Sequence, residues 1–342
     1  MVGRIVKIAI VGRSQKPGGF ASHVQDSFER LGVTAQVFQV TSRFEPRRGK
    51  FGNAAWMARG VIATRSEPAT RVLYADLVRD LKAFDPDLVL TLLPRTGKIE
   101  VDLWRDALPK AKLALWSPDS AANFGDQRAF VAGLDRLYTK DPYLVDRLRA
   151  GGMAEARYLA EAAPTEAVEW AAKQPAVTRQ NWLAMVGNIY PSRVRFLQDL
   201  GSRTDLRIFG RVTARELPTD LLDMFTGQYL WREEKYQVFR EARCVVNNLH
   251  YAEYGSVNYR LFEAAGCGAV VATDDVPQVR RYFEPGQEVI TFTSSDDLAR
   301  QLDELSADEL DAIGHAAQRR VIEEHRMEFR LQEMLEDCGF DL

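Results

Sequence analysis

The chain has 342 residues, of which 46% are hydrophobic and 27% are charged. This length suits two domains better than one, and the composition excludes a disordered chain. The formal net charge of −3 gives no reason to expect a general attraction to nucleic acid or to an anionic membrane surface.

The sequence carries no pattern typical of targeting or membrane insertion. The apolar run in MVGRIVKIAIVG is too short for a signal peptide, and no later run reaches membrane-spanning length. The three cysteines, Cys244, Cys267 and Cys338, are scattered and have no C-x-x-C spacing. Scattered cysteines of this kind are typical of reduced structural thiols. We therefore expect a cytoplasmic protein with no membrane span and no nucleic-acid partner.

The first half alternates between strand and helix patterns. Apolar runs such as VKIAIVG, AQVFQV, DLVLTLL and KLALWS are separated by helical patterns near residues 20–31, 71–84 and 101–107, and RLYTKD and ARYLA add short strands. This alternation predicts an α/β domain with a mostly parallel sheet and crossover helices. The basic segment 41–60 follows a strand, and it could hold a phosphate or an acidic acceptor, or be a solvated loop.

The pattern restarts after a stretch rich in proline and small residues. Residues 162–179 predict a linker or a short connecting helix, and a new strand, NWLAMVGN, begins at Asn181. We therefore predict an N-terminal domain over residues 1–170 and a C-terminal domain over 171–342. Ligands of open α/β sheets bind beyond the carboxyl ends of the strands, so we expect the site in the cleft between the two domains.

Candidate site residues in the first domain follow its strands. Gly18 and Gly19 precede a helix, where glycines let backbone N–H groups approach an anion, although an ordinary glycine turn has the same sequence. His23 lies in the first turn of that helix and could be either catalytic or structural. Asp119 follows the strand KLALWS, where it could act as a catalytic carboxylate or cap the next turn.

The second domain opens with MVGNIYPSRVRFLQDL, which places Asn188 at a strand end and Arg193 in the first turn of a helix. A cation at a helix N-terminus is disfavoured by the helix dipole. Arg193 therefore indicates an anionic ligand or a carboxylate partner, and the alternative is a side chain that lies along the surface.

The stretch VNYRLFEAAGCGAVVATDD, which begins at Val257, offers the strongest candidate site. Ser256 is predicted as the N-cap of a helix whose first amides, from Val257, Asn258 and Tyr259, would bind an anion. Arg260 adds a guanidinium to the same site, and Glu263 one turn later could accept two vicinal ribose hydroxyls. The alternative is a solvated Arg260–Glu263 surface pair, which stabilises a helix by only about 0.2–0.5 kcal/mol.

Two motifs in this half resemble those of bacterial glycosyltransferases of the group-1 type, in particular the branch related to the spore maturation protein CgeB. The first is R-x-F-E-A-x-x-x-G, from Arg260 to Gly268, and the second is F-x-P-G-x-E, from Phe283 to Glu288. The resemblance covers most of the C-terminal half, and it is looser over the first half. One departure is that the glutamate found in this family eight residues before the ribose-binding one is replaced here by Gly255.

The resemblance implies a GT-B fold, in which two Rossmann-like domains face a central cleft and the C-terminal helices can cross back to the first domain. It implies a nucleotide-diphosphate-sugar donor, an acceptor that the sequence does not identify, and no metal or other cofactor. Carried over, Glu263 would bind the ribose, while Arg260 and the helix start would bind the diphosphate. Asn188 and Arg193 would line the donor pocket. Gly18 and Gly19 would close over the donor, and Asp119 or His23 would act as the base of an inverting reaction.

Two other functions agree with the same residues. A sugar-nucleotide epimerase of the same fold would have the same nucleotide site and catalyse a different reaction. A non-catalytic envelope or coat scaffold would share only the fold. A Rossmann dehydrogenase is disfavoured because the G-x-G-x-x-G fingerprint is absent.

Overall fold

The computed structural model of the chain describes residues 6–12, 18–39, 66–93, 96–118, 133–210, 217–251, 253 and 255–341. The chain divides into two compact units. The first comprises Met1–Ala160 and Leu331–Leu342, and the second comprises Glu161–Arg330. The basic segment 41–60 and Asp119 lie outside the described residues.

The first unit is built on a parallel sheet. Its six described strands are β1 (Lys7–Gly12), β2 (Thr34–Gln39), β3 (Leu88–Thr91), β4 (Lys112–Ser117), β5 (Arg136–Thr139) and β6 (Ala156–Tyr158). They lie in the order β2-β1-β3-β4-β5-β6, and every neighbouring pair is parallel. The central strands are buried on both faces, as their continuous apolar sequences predict.

Three of the described helices of the first unit lie close to their predicted positions: α1 (Phe20–Arg30), α2 (Glu67–Phe84) and α3 (Lys98–Ala107). A fourth, α4 (Pro142–Ala150), was not predicted from the sequence. The end of the last helix of the chain, Met327–Asp337, also packs on this unit: Asp337 accepts hydrogen bonds from Arg136 Nε at 2.7 Å and from the Tyr138 hydroxyl at 2.8 Å, both on β5. These contacts bind the C-terminal residues to the first sheet.

The second unit repeats the architecture. Its described strands are β7 (Leu183–Val186), β8 (Leu206–Phe209), β9 (Cys244–Asn247), β10 (Val271–Asp274) and β11 (Ile290–Phe292), in the order β11-β10-β9-β7-β8, all parallel. Its described helices are α5 (Thr165–Ala172), α6 (Val194–Gly201), α7 (Thr219–Asp223), α8 (Arg232–Glu241), α9 (Tyr259–Gly266), α10 (Ser295–Glu304) and α11 (Ala307–Glu324), and we number the last helix α12.

The hydropathy of the helices and the state of the cysteines can be described for the same elements. Among the described residues, no helix combines the length and the apolar character needed to cross a membrane. All three cysteines are free and buried, as the sequence predicts.

His325, at the end of α11, lies in the aromatic core that supports α9. Its imidazole packs edge-to-face on Phe262 at 5.5 Å between ring centroids. Nε2 lies 2.9 Å from the backbone carbonyl of Tyr282, and Nδ1 lies 3.0 Å from Arg330 Nη2. Because the carbonyl requires a donor and the guanidinium requires an acceptor, the pairing fits the neutral ring with its proton on Nε2.

The free energy of unfolding is therefore expected to fall as the pH falls below about 6.5, the ordinary histidine value. Burial first, and then the charge of Arg330, lower the pKa of His325 in the folded protein. The neutral ring stabilises the fold fully above the unfolded pKa, and this contribution decreases by at most about 1.4 kcal/mol per pH unit as the pH falls toward the folded pKa.

Urea unfolding at pH 7.5 and 5.5 measures this effect. His325→Gln should flatten the dependence, while His315→Gln, at an exposed histidine of α11, should retain it. Equal slopes for the wild type and His325→Gln would contradict the assignment.

Candidate functional site

The strand order of the second unit reverses between β7 and β9. The chain passes from β7 outward to β8, then returns to the other side of β7 to form β9. Connections therefore leave in opposite directions at the carboxyl ends of these two strands, and this opens a crevice where α/β sheets bind ligands. The loop after β7 contains Asn188 and Arg193, and the loop after β9 leads into α9, which carries Arg260 and Glu263.

Helix α9 starts two residues later than the sequence prediction. Asn258, not Ser256, is its N-cap, because the Asn258 Oδ1 atom accepts a hydrogen bond from the Leu261 amide at 3.3 Å. The Ser256 hydroxyl instead donates to Glu253 at 2.7 Å. Asparagine caps a helix at least as well as serine, so the two positions could not be separated by residue type. The first helical amides are thus those of Tyr259, Arg260 and Leu261, and Val257 lies buried before the helix.

Arg260 extends from the first turn of α9 to the loop after β7. A Cβ atom at Gly187 would lie 2.1 Å from the Arg260 Nη2 atom, and Gly187 has a φ of +128°. The Arg260 Nη1 atom donates to Asn247 Oδ1, at the end of β9, at 3.3 Å. Gly187 is therefore required both for its backbone conformation and for the space that the guanidinium fills.

Arg193 is a buried cation, with only 4% of its surface exposed. It ends a short 3-10 turn, Pro191–Arg193, directly before α6. Its Nη1 atom donates to the Asn188 backbone carbonyl at 3.0 Å, and its guanidinium lies 5.1 Å from the ring centroid of Tyr190. The alternative of a side chain lying along the surface is therefore wrong.

The two guanidiniums are held by neutral groups. Within the part of the chain that the structure describes, no carboxylate oxygen lies within 4.0 Å of Arg193 or Arg260. Burial first, and then the charge of Arg193, lower the pKa of Arg260 to about 10. Burial also lowers the pKa of Arg193, although Tyr190, Asp274 and Glu253 oppose the shift. A buried cation beside a half-buried one, whose charged form it disfavours, is suited to bind an anion.

Glu263 is also buried, with 3% of its surface exposed. Its Oε1 atom lies 2.5 Å from the Lys235 Nζ atom on α8, and the two side chains are 4% and 19% exposed. The alternative of a solvated Arg260–Glu263 surface pair is therefore wrong, because Glu263 is buried and its ion pair is with another helix. The remaining face of α9, formed by Leu261, Phe262 and neighbouring alanines, packs in the core as predicted.

An aromatic cluster adjoins Arg193 at the end of the loop. The ring of Tyr190 meets His250 edge-to-face at 4.8 Å, and His250 lies 4.2 Å from the ring centroid of Tyr251. Tyr251 is 76% exposed. Arg193 thus has aromatic neighbours that the sequence did not predict.

Three of the first-unit candidates, Gly18, Gly19 and His23, lie at the start of α1, which follows β1. Gly18 has a φ of +81°, and Gly19 is the N-cap residue of α1. His23 is in α1 as predicted, and it is buried. The roles of these three residues and of Asp119 stay predictions.

Sequence reasoning missed Asn247, Lys235 and the contact between Gly187 and Arg260. The Asn247–Asn248 pair, which directly follows the buried residues Val245 and Val246, is a polar signal at a strand end that could have identified the first of them. The other two depend on contacts between residues 28 and 73 positions apart in the chain, which no local pattern indicates.

Comparisons with known proteins agree with this architecture. Residues 193–336 match a family described as Glycosyl transferase-like. A sequence comparison with curated proteins finds no match.

Several solved structures are similar along almost the whole chain. Anabaena Alr3699/HepE in complex with UDP and glucose has a TM-score of 0.59 at 13% identity, over 98% of this chain and 99% of that one. The lipopolysaccharide outer core galactosyltransferase WaaB in its apo form has a TM-score of 0.57 at 14% identity, with the same coverage of both chains. TarM has a TM-score of 0.61 at 10% identity, over 98% and 99% of the two chains. The chain therefore has the GT-B fold, with two parallel-sheet α/β units like those of these structures.

Proposed function

We propose that the protein is a glycosyltransferase that moves a sugar, most simply a hexose, from a nucleoside-diphosphate donor to an acceptor hydroxyl. The observation that carries this proposal is a pair of guanidiniums, the buried Arg193 and the half-buried Arg260, at the strand-order reversal of the second unit. A diphosphate supplies two adjacent anionic groups, and each guanidinium offers a fork of donors that matches phosphate oxygens. The family match over residues 193–336 supports the same class of reaction.

In the proposed reaction, the bond between the anomeric carbon and the diphosphate oxygen breaks, and its electron pair stays on the leaving diphosphate. A new bond forms between the anomeric carbon and the acceptor oxygen, which loses its proton. Arg193 and Arg260 would stabilise the charge that develops on the leaving group, and they are already in place before the reaction. Glu263 would hold the ribose, and His23 or Asp119 would accept the acceptor's proton if the configuration inverts.

Uridine is the nucleoside that we propose, since the Anabaena relative of the same fold was solved with UDP. Isothermal titration with UDP, GDP, dTDP and UMP tests the site directly. We expect UDP to bind at least about tenfold more tightly than UMP, because UMP lacks the second phosphate. If none of the nucleoside diphosphates binds, a scaffold without a nucleotide site replaces this proposal. Conversion of the sugar without transfer or hydrolysis would identify an epimerase.

We further propose that transfer needs no metal ion, because two guanidiniums can supply the positive charge that a divalent cation supplies in other phosphate sites. Donor hydrolysis and transfer are therefore expected to be the same with and without EDTA. Loss of activity with EDTA, followed by recovery with manganese, would contradict this part of the proposal and leave the nucleotide site itself intact.

A further inference from the structure

We propose that Asn247 is a positioning residue, which holds Arg260 in place through a neutral acceptor and so leaves the guanidinium charge available to a diphosphate. This inference rests on the proposed function, because it names the residue that prepares the same site for its anion. Asn247 ends β9, one of the two strands at the order reversal, and none of its surface is exposed.

A chain of hydrogen bonds fixes the orientation of the Asn247 side chain. The Leu261 amide donates to Asn258 Oδ1, so that the Asn258 Nδ2 group faces Asn247 and donates to its Oδ1 at 3.0 Å. On the other side, Asn247 Nδ2 lies 3.4 Å from the Thr273 hydroxyl, which donates to the Asn247 backbone carbonyl at 3.0 Å. The Asn247 Oδ1 atom is therefore the end that meets Arg260.

The acceptors of both site arginines are neutral. Arg260 donates to an amide oxygen, and Arg193 donates to a backbone carbonyl. Two other arginines of the second unit pair with carboxylates instead: Arg179 lies 2.7 Å from Asp311, and Arg320 lies 3.0 Å from Glu288. A carboxylate partner neutralises a guanidinium, whereas an amide oxygen orients it and leaves its full charge. Other arginines, such as Arg243, also donate to a neutral carbonyl, so it is the place of Arg260 at the strand-order reversal, together with its neutral acceptor, that suits it to an anion.

Aspartate is nearly identical in shape to asparagine, which allows the charge to be tested apart from the packing. An aspartate at position 247 could accept from the same Asn258 and Arg260 donors, and the Thr273 hydroxyl could turn from the backbone carbonyl of residue 247 to donate to the second carboxylate oxygen. The variant Asn247→Asp should therefore fold, and its new ion pair with Arg260 should keep the melting temperature at or above that of the wild type. The same ion pair competes with the diphosphate, so UDP affinity should fall by about 10- to 100-fold.

The experiment measures UDP affinity by titration and the melting temperature of the unliganded protein, for the wild type and three variants. The control is Asn181→Asp, which adds the same charge at an exposed position before β7, at the opposite end of the sheet. Asn181→Asp should match the wild type in both measurements. A third variant, Asn247→Ser, removes the acceptor without adding charge, and it should weaken UDP binding less than Asn247→Asp does.

The outcomes separate this inference from the proposed function. If the wild type binds no nucleoside diphosphate, the proposed function fails, and the inference fails with it. If the wild type binds UDP and Asn247→Asp binds it equally well, the inference fails alone. A loss of affinity that comes with an equal loss of thermal stability in both Asn247 variants would also overturn it, since Asn247 would then act only through packing.

Discussion

Replacing Arg260 with methionine is expected to lower the turnover number of sugar transfer by about 100- to 1000-fold, which is typical for removing one donor to a developing oxyanion. The side chain crosses from α9 to Gly187, and within the described residues its charge is not neutralised by a carboxylate within 4.0 Å. The interaction should strengthen as the bond to the diphosphate breaks. The loss should therefore be larger in kcat than in the affinity for UDP.

The measurement is UDP release from a UDP-sugar, with UDP affinity determined separately by titration. Arg195→Met is the matched control, because Arg195 lies two residues after Arg193, is 86% exposed and pairs with Asp199 at 3.0 Å on the helix surface. If Arg260→Met retains the wild-type kcat, Arg260 does not stabilise the leaving group. Arg260→Lys should be intermediate, because lysine keeps the charge and loses the planar fork.

The sequence predicted the parallel α/β architecture well because the signal is local. The central strands β1, β3 and β4 are nearly continuous apolar runs, and the helices that follow β1 and β2 carry their own periodicity. Arg260 and Glu263 could be found in the same way, since they occupy a short motif on one helix. The start of that helix was misplaced by two residues because Ser256 and Asn258 are both good N-caps, and only the contact between Ser256 and Glu253 decides between them.

The partners of these residues could not be predicted from the sequence. Asn247 meets Arg260 and Thr273 only because β9 pairs with β10 in one register, in which Thr273 lies beside Asn247. Lys235 reaches Glu263 only because α8 and α9 pack in the same unit. The burial of these side chains could not be predicted either. The sequence allowed Arg193 and Glu263 to lie on the surface, whereas the tertiary packing buries both.

Replacing Glu263 with glutamine is expected to weaken UDP binding by about 10- to 100-fold and to remove most of the preference for UDP over 2′-deoxy-UDP. A carboxylate accepts hydrogen bonds from both ribose hydroxyls more strongly than an amide does. Titration of both nucleotides against the wild type and the variant measures the effect. An unchanged ratio of the two affinities would contradict the ribose role of Glu263.

Lys235 allows the binding role of Glu263 to be separated from its structural role. Lys235→Met leaves the Glu263 carboxylate buried without its ion-pair partner, so this variant should lose about 3–5 kcal/mol of stability. The double variant Lys235→Met/Glu263→Gln has no unpaired buried charge and should recover much of that stability. Its UDP affinity should be as low as that of Glu263→Gln, because the carboxylate is absent from both variants. If the double variant regains both stability and affinity, Glu263 serves the fold of the second unit, and the ribose must be held by other residues.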